Sequence, residues 1–95
     1  MRLTQFEVSA IKQSAQEVFG ANVEVFLFGS RVDDAKKGGD IDLYIKAETG
    51  NDLAHKIRFL VSLEQKIGEQ KIDVILALDH ARPIEQQART TGVLL

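Results

Sequence analysis

Val23-Glu24-Val25-Phe26-Leu27-Phe28-Gly29-Ser30 and, beyond residues 31–39, Asp40-Ile41-Asp42-Leu43-Tyr44-Ile45 decide the fold. The first stretch is short and rich in β-branched and aromatic residues, which makes it a strand. Its apolar residues fall on both faces from Val25 onward, as in a strand covered by helices on both sides. Gly29-Ser30 ends it. The second stretch alternates without a break. Ile41, Leu43 and Ile45 point one way, and Asp40, Asp42 and Tyr44 point the other. A short helix over about 30–36 fits between the two strands, and Lys36-Lys37-Gly38-Gly39 reads as a turn.

Outward from this pair, Thr4-Gln5-Phe6-Glu7 is a capping box, with Leu3 and Val8 placed as a hydrophobic staple. Val8, Ile11, Ala15, Val18 and Phe19 recur at helical spacing, and Gly20 stops the helix, giving a helix over 4–19. Thr49-Gly50-Asn51-Asp52 supplies N-cap candidates for an amphipathic helix over 51–67, which Gly68 ends. Lys71-Ile72-Asp73-Val74-Ile75-Leu76 is a third strand. Pro83 suits the first turn of a last helix over about 83–90, with Gly92 after it. Val93-Leu94-Leu95 is too short to assign and fits a packed tail or an edge pairing. The order is αβ(α)βαβα. It predicts an α/β (α+β) fold with a small mixed sheet of about three strands flanked by helices. If the second and third strands are parallel, helix 51–67 is a right-handed crossover. The direction of the first strand stays open.

At 95 residues the expectation is one domain spanning 1–95. Hydrophobic residues make up 44% and charged residues 27%, so a folded core is expected rather than a disordered chain. The net charge of −2 argues against general binding of nucleic acid. Cysteine is absent, which excludes disulfides, thiol nucleophiles and thiolate metal sites. No run is long enough to span a membrane, and Met1–Glu7 holds no apolar core of signal-peptide length. The expected location is the cytoplasm.

Asp40 and Asp42 project from one strand face, and Asp73 heads the next strand. If those strands are neighbours, three carboxylates share a surface. Anions within about 4–6 Å of one another repel by several kcal/mol at an effective dielectric near 20. Such a cluster calls for a cation, and Mg²⁺ takes carboxylates, waters and substrate phosphates together. Aspartates flanking strands are often merely solvated; the combination with Gly-Ser is what favours a site. Gly29 lets the chain turn tightly and lets phosphate approach the backbone. Ser30, at a helix start, offers an amide and a hydroxyl to an anion, or else simply caps the helix. The spacing is not that of a Walker A loop. Arg31 is a candidate phosphate contact, against a solvated surface arginine. Tyr44 reads as a packed tyrosine with its hydroxyl at the surface, ahead of a base-stacking role. His55 reads as a surface residue and His80 as a loop residue. Lys36 and Lys37 read as a solvated loop. Phe6, Phe19, Phe26 and Phe59 read as core or as partner-covered patches.

Phe26-Leu27-Phe28-Gly29-Ser30-Arg31, Gly39-Asp40-Ile41-Asp42-Leu43 and Lys71-Ile72-Asp73-Val74-Ile75 together resemble the DNA polymerase β-type nucleotidyltransferase superfamily. With the short chain they resemble its minimal branch, the MntA-type antitoxins of HEPN–MNT toxin–antitoxin pairs. The likeness covers nearly the whole chain. It implies that Asp40, Asp42 and Asp73 are catalytic and hold Mg²⁺ in a two-ion site, with Asp42 bridging and Asp73 activating the acceptor. It implies that Gly29, Ser30 and Arg31 bind the triphosphate of ATP. It further implies AMP transfer to a tyrosine of a HEPN-type helical toxin within a hetero-oligomer. Two alternatives stand beside this: transfer to a small-molecule hydroxyl with the acceptor domain in trans, and a non-catalytic antitoxin that binds its toxin.

Overall fold

The structure is a computed structural model that describes residues 3–28, 41–77 and 92–95. Helix α1, Gln5–Phe19, begins where the capping box predicts. The Glu7 amide donates to Thr4 Oγ1 at 3.1 Å, and the Thr4 amide donates to Glu7 Oε1 at 2.9 Å. Two of the amides that a helix start leaves without partners are thereby satisfied. Helix α2, Leu53–Ile67, takes Asp52 as its N-cap, whose Oδ1 accepts from the His55 amide at 2.9 Å. Both helices end in a glycine at positive φ, Gly20 at 102° and Gly68 at 84°. A residue with a Cβ would be strained at either position.

Four strands follow in chain order: β1 Glu24–Phe28, β2 Ile41–Lys46, β3 Ile72–Leu76 and β4 Val93–Leu94. Their order across the sheet is β3-β2-β1-β4. β2 and β3 are parallel and joined through α2, while β1 is antiparallel to β2 and to β4. The sheet is therefore mixed, as expected, and the open direction of β1 is antiparallel. The expected three strands become four, because Val93-Leu94 pairs with Phe26-Leu27 at the β1 edge. Two residues are too few for alternation to show, so nothing in the local pattern marks β4 as a strand. The helices expected over 30–36 and 83–90 lie outside the described residues.

One core joins both helices to one face of the sheet. Ala10, Ile11, Ala15 and Phe19 of α1 meet Phe59 and Leu63 of α2 over Val25, Leu27, Ile41, Leu43, Ile45, Val74 and Leu76. The register explains this set, because cross-strand partners share a face. Leu43 lies opposite both Leu27 and Val74, and Ile45 opposite both Val25 and Leu76. Ser14 is fully buried on the helix side of the sheet, and Ser62 Oγ lies 3.2 Å from its hydroxyl. Phe19 and Phe59 are core as expected, with ring centroids 6.0 Å apart. Phe6 is not: it is 65% exposed. It occupies the first turn of α1, where the capping box fixes the helix start and turns position 6 away from the sheet.

Candidate active site

The other face of the sheet has a different composition. Odd positions of β2 point at the helices, so the even ones, Asp42, Tyr44 and Lys46, point away. β3 runs parallel and places Asp73 opposite Asp42. β1 runs antiparallel and places Phe28 opposite Asp42 on its other side. One row across the sheet therefore reads Phe28, Asp42, Asp73. The next row reads Phe26, Tyr44, Ile75. Phe28 and Tyr44 form a buried cluster with Phe26, Ile75 and Ala77 packed against it, separate from the helix-side core. The Phe26 and Tyr44 rings lie 5.9 Å apart.

The two carboxylates thus share a sheet face and a register position, one on each of two neighbouring parallel strands. Strands in a sheet lie about 4.8 Å apart. Two like charges at about 4 Å cost about 1 kcal/mol in water and about 4 kcal/mol at an effective dielectric of 20. Asp73 is exposed and Asp42 half-buried, beside aromatic residues that hold water off one side of it. A bound cation turns that repulsion into attraction. The donors are oxygen atoms only, which suits a hard divalent ion that keeps waters and phosphate in its shell. Among the described residues no group of three or more His, Cys, Asp or Glu is arranged to hold a metal. The pair therefore fits as part of a cation site rather than as a closed cage.

Of the residues singled out from sequence, Asp42 and Asp73 are brought together. Asp40, Gly29, Ser30, Arg31, Lys36, Lys37 and His80 lie outside the described residues. Phe28, which precedes Gly29-Ser30 in sequence, sits opposite Asp42 at the end of β1. Tyr44 is packed as expected, but it is fully buried, so its hydroxyl does not reach the surface. Phe26 and Ile75 flank it on both neighbouring strands and close over it. His55 is at the surface as expected, with its side chain 32% exposed. Its Nδ1 lies 2.7 Å from Asp52 Oδ1, and its ring lies 6.2 Å from that of Phe19. It stands at the start of α2, on the helix side of the sheet. Hydrogen bonds from His55, first from its amide and then from its ring, hold the Asp52 carboxyl below its ordinary value. Sequence reasoning missed the aromatic floor of the carboxylate face. Its signal was present in Phe26 and Phe28, which alternate with Val25 and Leu27 and so cannot share the helix-side core.

A mixed four-stranded sheet with two helices packed on one face among the described residues is an α+β arrangement consistent with the nucleotidyltransferase class. The chain's sequence agrees: the family described as Polymerase beta, Nucleotidyltransferase matches residues 10–95, and the chain belongs to that family. No curated protein matches it. The family typically works on a nucleoside triphosphate with a divalent metal. No described helix is long and apolar enough to cross a membrane.

Proposed function

We propose that this nucleotidyltransferase moves AMP from ATP to a hydroxyl on another protein, a tyrosine of a HEPN-type toxin, and acts in the cytoplasm as its antitoxin. The register of Asp42 with Asp73 carries the catalytic part of the proposal, because it sets two carboxylates side by side on one sheet face. The resemblance of Gly29-Ser30, Asp40-x-Asp42 and Asp73 to the minimal nucleotidyltransferases supports the acceptor.

Asp40, Asp42 and Asp73 would hold Mg²⁺. When bound, the metal neutralises the triphosphate and stabilises the attacking and leaving oxygens. By their resemblance to the family motif, Gly29, Ser30 and Arg31 would bind the triphosphate. The acceptor oxygen attacks the α-phosphorus in line. The bond to the bridging oxygen breaks, and pyrophosphate leaves. Asp73, the more exposed carboxylate, takes the acceptor proton. The Phe28–Tyr44 floor keeps Asp42 fixed from below.

The test is to incubate the chain with Mg²⁺, labelled ATP and the product of the neighbouring gene, then measure the partner's mass. The expected result is addition of AMP at a tyrosine, lost in Asp42→Asn and in Asp73→Asn. Neutralisation of the partner that survives both substitutions overturns the catalytic proposal and leaves a binding antitoxin. Transfer to a small-molecule hydroxyl, with none to the partner, overturns the acceptor.

A further inference from the structure

Helix α2 carries a ridge that the fold leaves uncovered. Leu53, Ile57 and Val61 recur every four residues and are 67%, 51% and 51% exposed. That spacing keeps them on one helix face, away from Phe59 and Leu63, which are fully buried. Scattered exposed apolar residues are ordinary, whereas a contiguous row rimmed by polar groups marks a contact surface. Ile57 and Val61 continue, with Val18 of α1, into a shallow groove of about 350 Å³ between the helices.

The charges around the ridge say what fits it. Glu17, on the groove's α1 side, is already compensated, with Lys66 Nζ 3.2 Å away and the Ser62 hydroxyl 3.0 Å away. Arg58 lines the same groove and is exposed, and its guanidinium has no hydrogen bond or ion pair among the described residues. Lys56, on the ridge's other flank, has none through its side chain either. Glu64 lies more than a turn beyond Arg58 and does not offset the centre. The middle of the ridge is therefore apolar and flanked by Lys56 and Arg58, whose side chains make no ion pair among the described residues, with the Asp52 and Glu64 carboxylates at its two ends. A second copy of this chain, packed antiparallel about Ile57, would set Lys56 and Arg58 against the same cations of its mate, which disfavours that occupant.

We propose that Leu53, Ile57 and Val61 form the docking surface for an amphipathic helix of a partner protein, whose flanking carboxylates pair with Arg58 and Lys56. The apolar stripe of that helix would lie along the ridge and groove, with charge setting its register. The surface belongs to α2, which packs on the sheet face opposite Asp42 and Asp73. It is distinct from the chemistry of nucleotidyl transfer and stands whether or not that chemistry is confirmed.

Two synthetic helical peptides test this on the full chain. Both carry the same leucine stripe; one is flanked by glutamates and the other by lysines. In amide NMR titrations the glutamate peptide is expected to shift Leu53–Val61 and to bind at least about tenfold more tightly than the lysine peptide. Arg58→Glu should reverse that preference. Ile57→Asp should abolish binding of both peptides while the chain stays folded, followed by its amide spectrum, with only a modest loss of stability for the half of Ile57 that is buried. Asp73→Asn should leave peptide binding intact, which separates this surface from the active site. Equal affinity for the two peptides, shifts elsewhere or no binding overturns the proposal. Self-association of the chain that Ile57→Asp removes also overturns it, with a second copy as the occupant.

Discussion

Leu43 and Tyr44 are neighbours in sequence and both fully buried, yet they belong to two different surfaces of one sheet. Leu43 lies in the core that α1 and α2 cover. Tyr44 lies in the aromatic floor beside Asp42. The difference shows what each face is for. On the helix face the buried contributors are apolar apart from Ser14, and packing accounts for the choice of residue. On the other face the aromatic cluster of Tyr44 and Phe28 runs up to Asp42, which lies directly opposite Phe28. There two carboxylates meet that no packing argument would bring together. Like charges directly opposite one another on neighbouring strands repel, so this face is chosen for something other than packing.

Substitutions on the two faces should therefore separate stability from activity. The largest effect is expected from Asp42→Asn, which should lower nucleotidyl transfer by about 100-fold or more, measured as turnover of labelled ATP. Asp73→Asn should match it in activity while leaving the metal-free chain as stable as the parent or somewhat more stable, because Asp73 is exposed and the substitution removes its repulsion with Asp42. A comparable loss of stability in Asp73→Asn would erase the distinction between the faces. Leu43→Ala should do the reverse. It should cost about 2–5 kcal/mol in denaturant unfolding and leave activity per folded molecule close to that of the parent. Gly68→Ala, at φ 84° with open space around it, should cost about 1 kcal/mol through backbone strain alone.

The smallest effect concerns pH and lies on the helix side. The Glu17 carboxyl is held below its ordinary value, first by the hydrogen bond from Lys66 and then by that from Ser62. A depressed carboxyl contributes stability above its unfolded-state value, and that stability is lost as pH falls through the folded-state value. Glu17→Gln should therefore be slightly less stable than the parent at neutral pH. The gap should close on acidification, followed by thermal unfolding across pH. Because Glu17 is solvent-exposed, a large gap would contradict the geometry.

Much of the helix face could be read from the sequence. The capping box at Thr4 marks one helix start, Asp52 is one of four N-cap candidates for the other, which begins at Leu53 rather than 51, Gly20 and Gly68 mark the ends, and period-two alternation assigns Ile41, Leu43 and Ile45 to one side. These are local signals and they suffice. The direction of β1, the pairing of Val93-Leu94 and the depth of Tyr44 depend on residues far away in the chain. No local pattern reports them. Phe6 shows the converse, since an aromatic residue within a helical repeat reads as core until the angular position of the helix start turns it outward. For the candidate site, alternation put Asp42 on the face away from Ile41 and Leu43. Only the parallel register with β3 put Asp73 beside it.

The most direct test of that juxtaposition uses Mn²⁺ as the probe ion, in the presence of a non-hydrolysable ATP analogue. Paramagnetic broadening should be strongest at the amides of Asp42 and Asp73, weaker at Phe28, and absent along Leu53–Val61. It should be lost in the doubly substituted Asp42→Asn, Asp73→Asn chain. Broadening that spares Asp73, or that persists in the double substitution, would contradict a shared cation site on this face of the sheet.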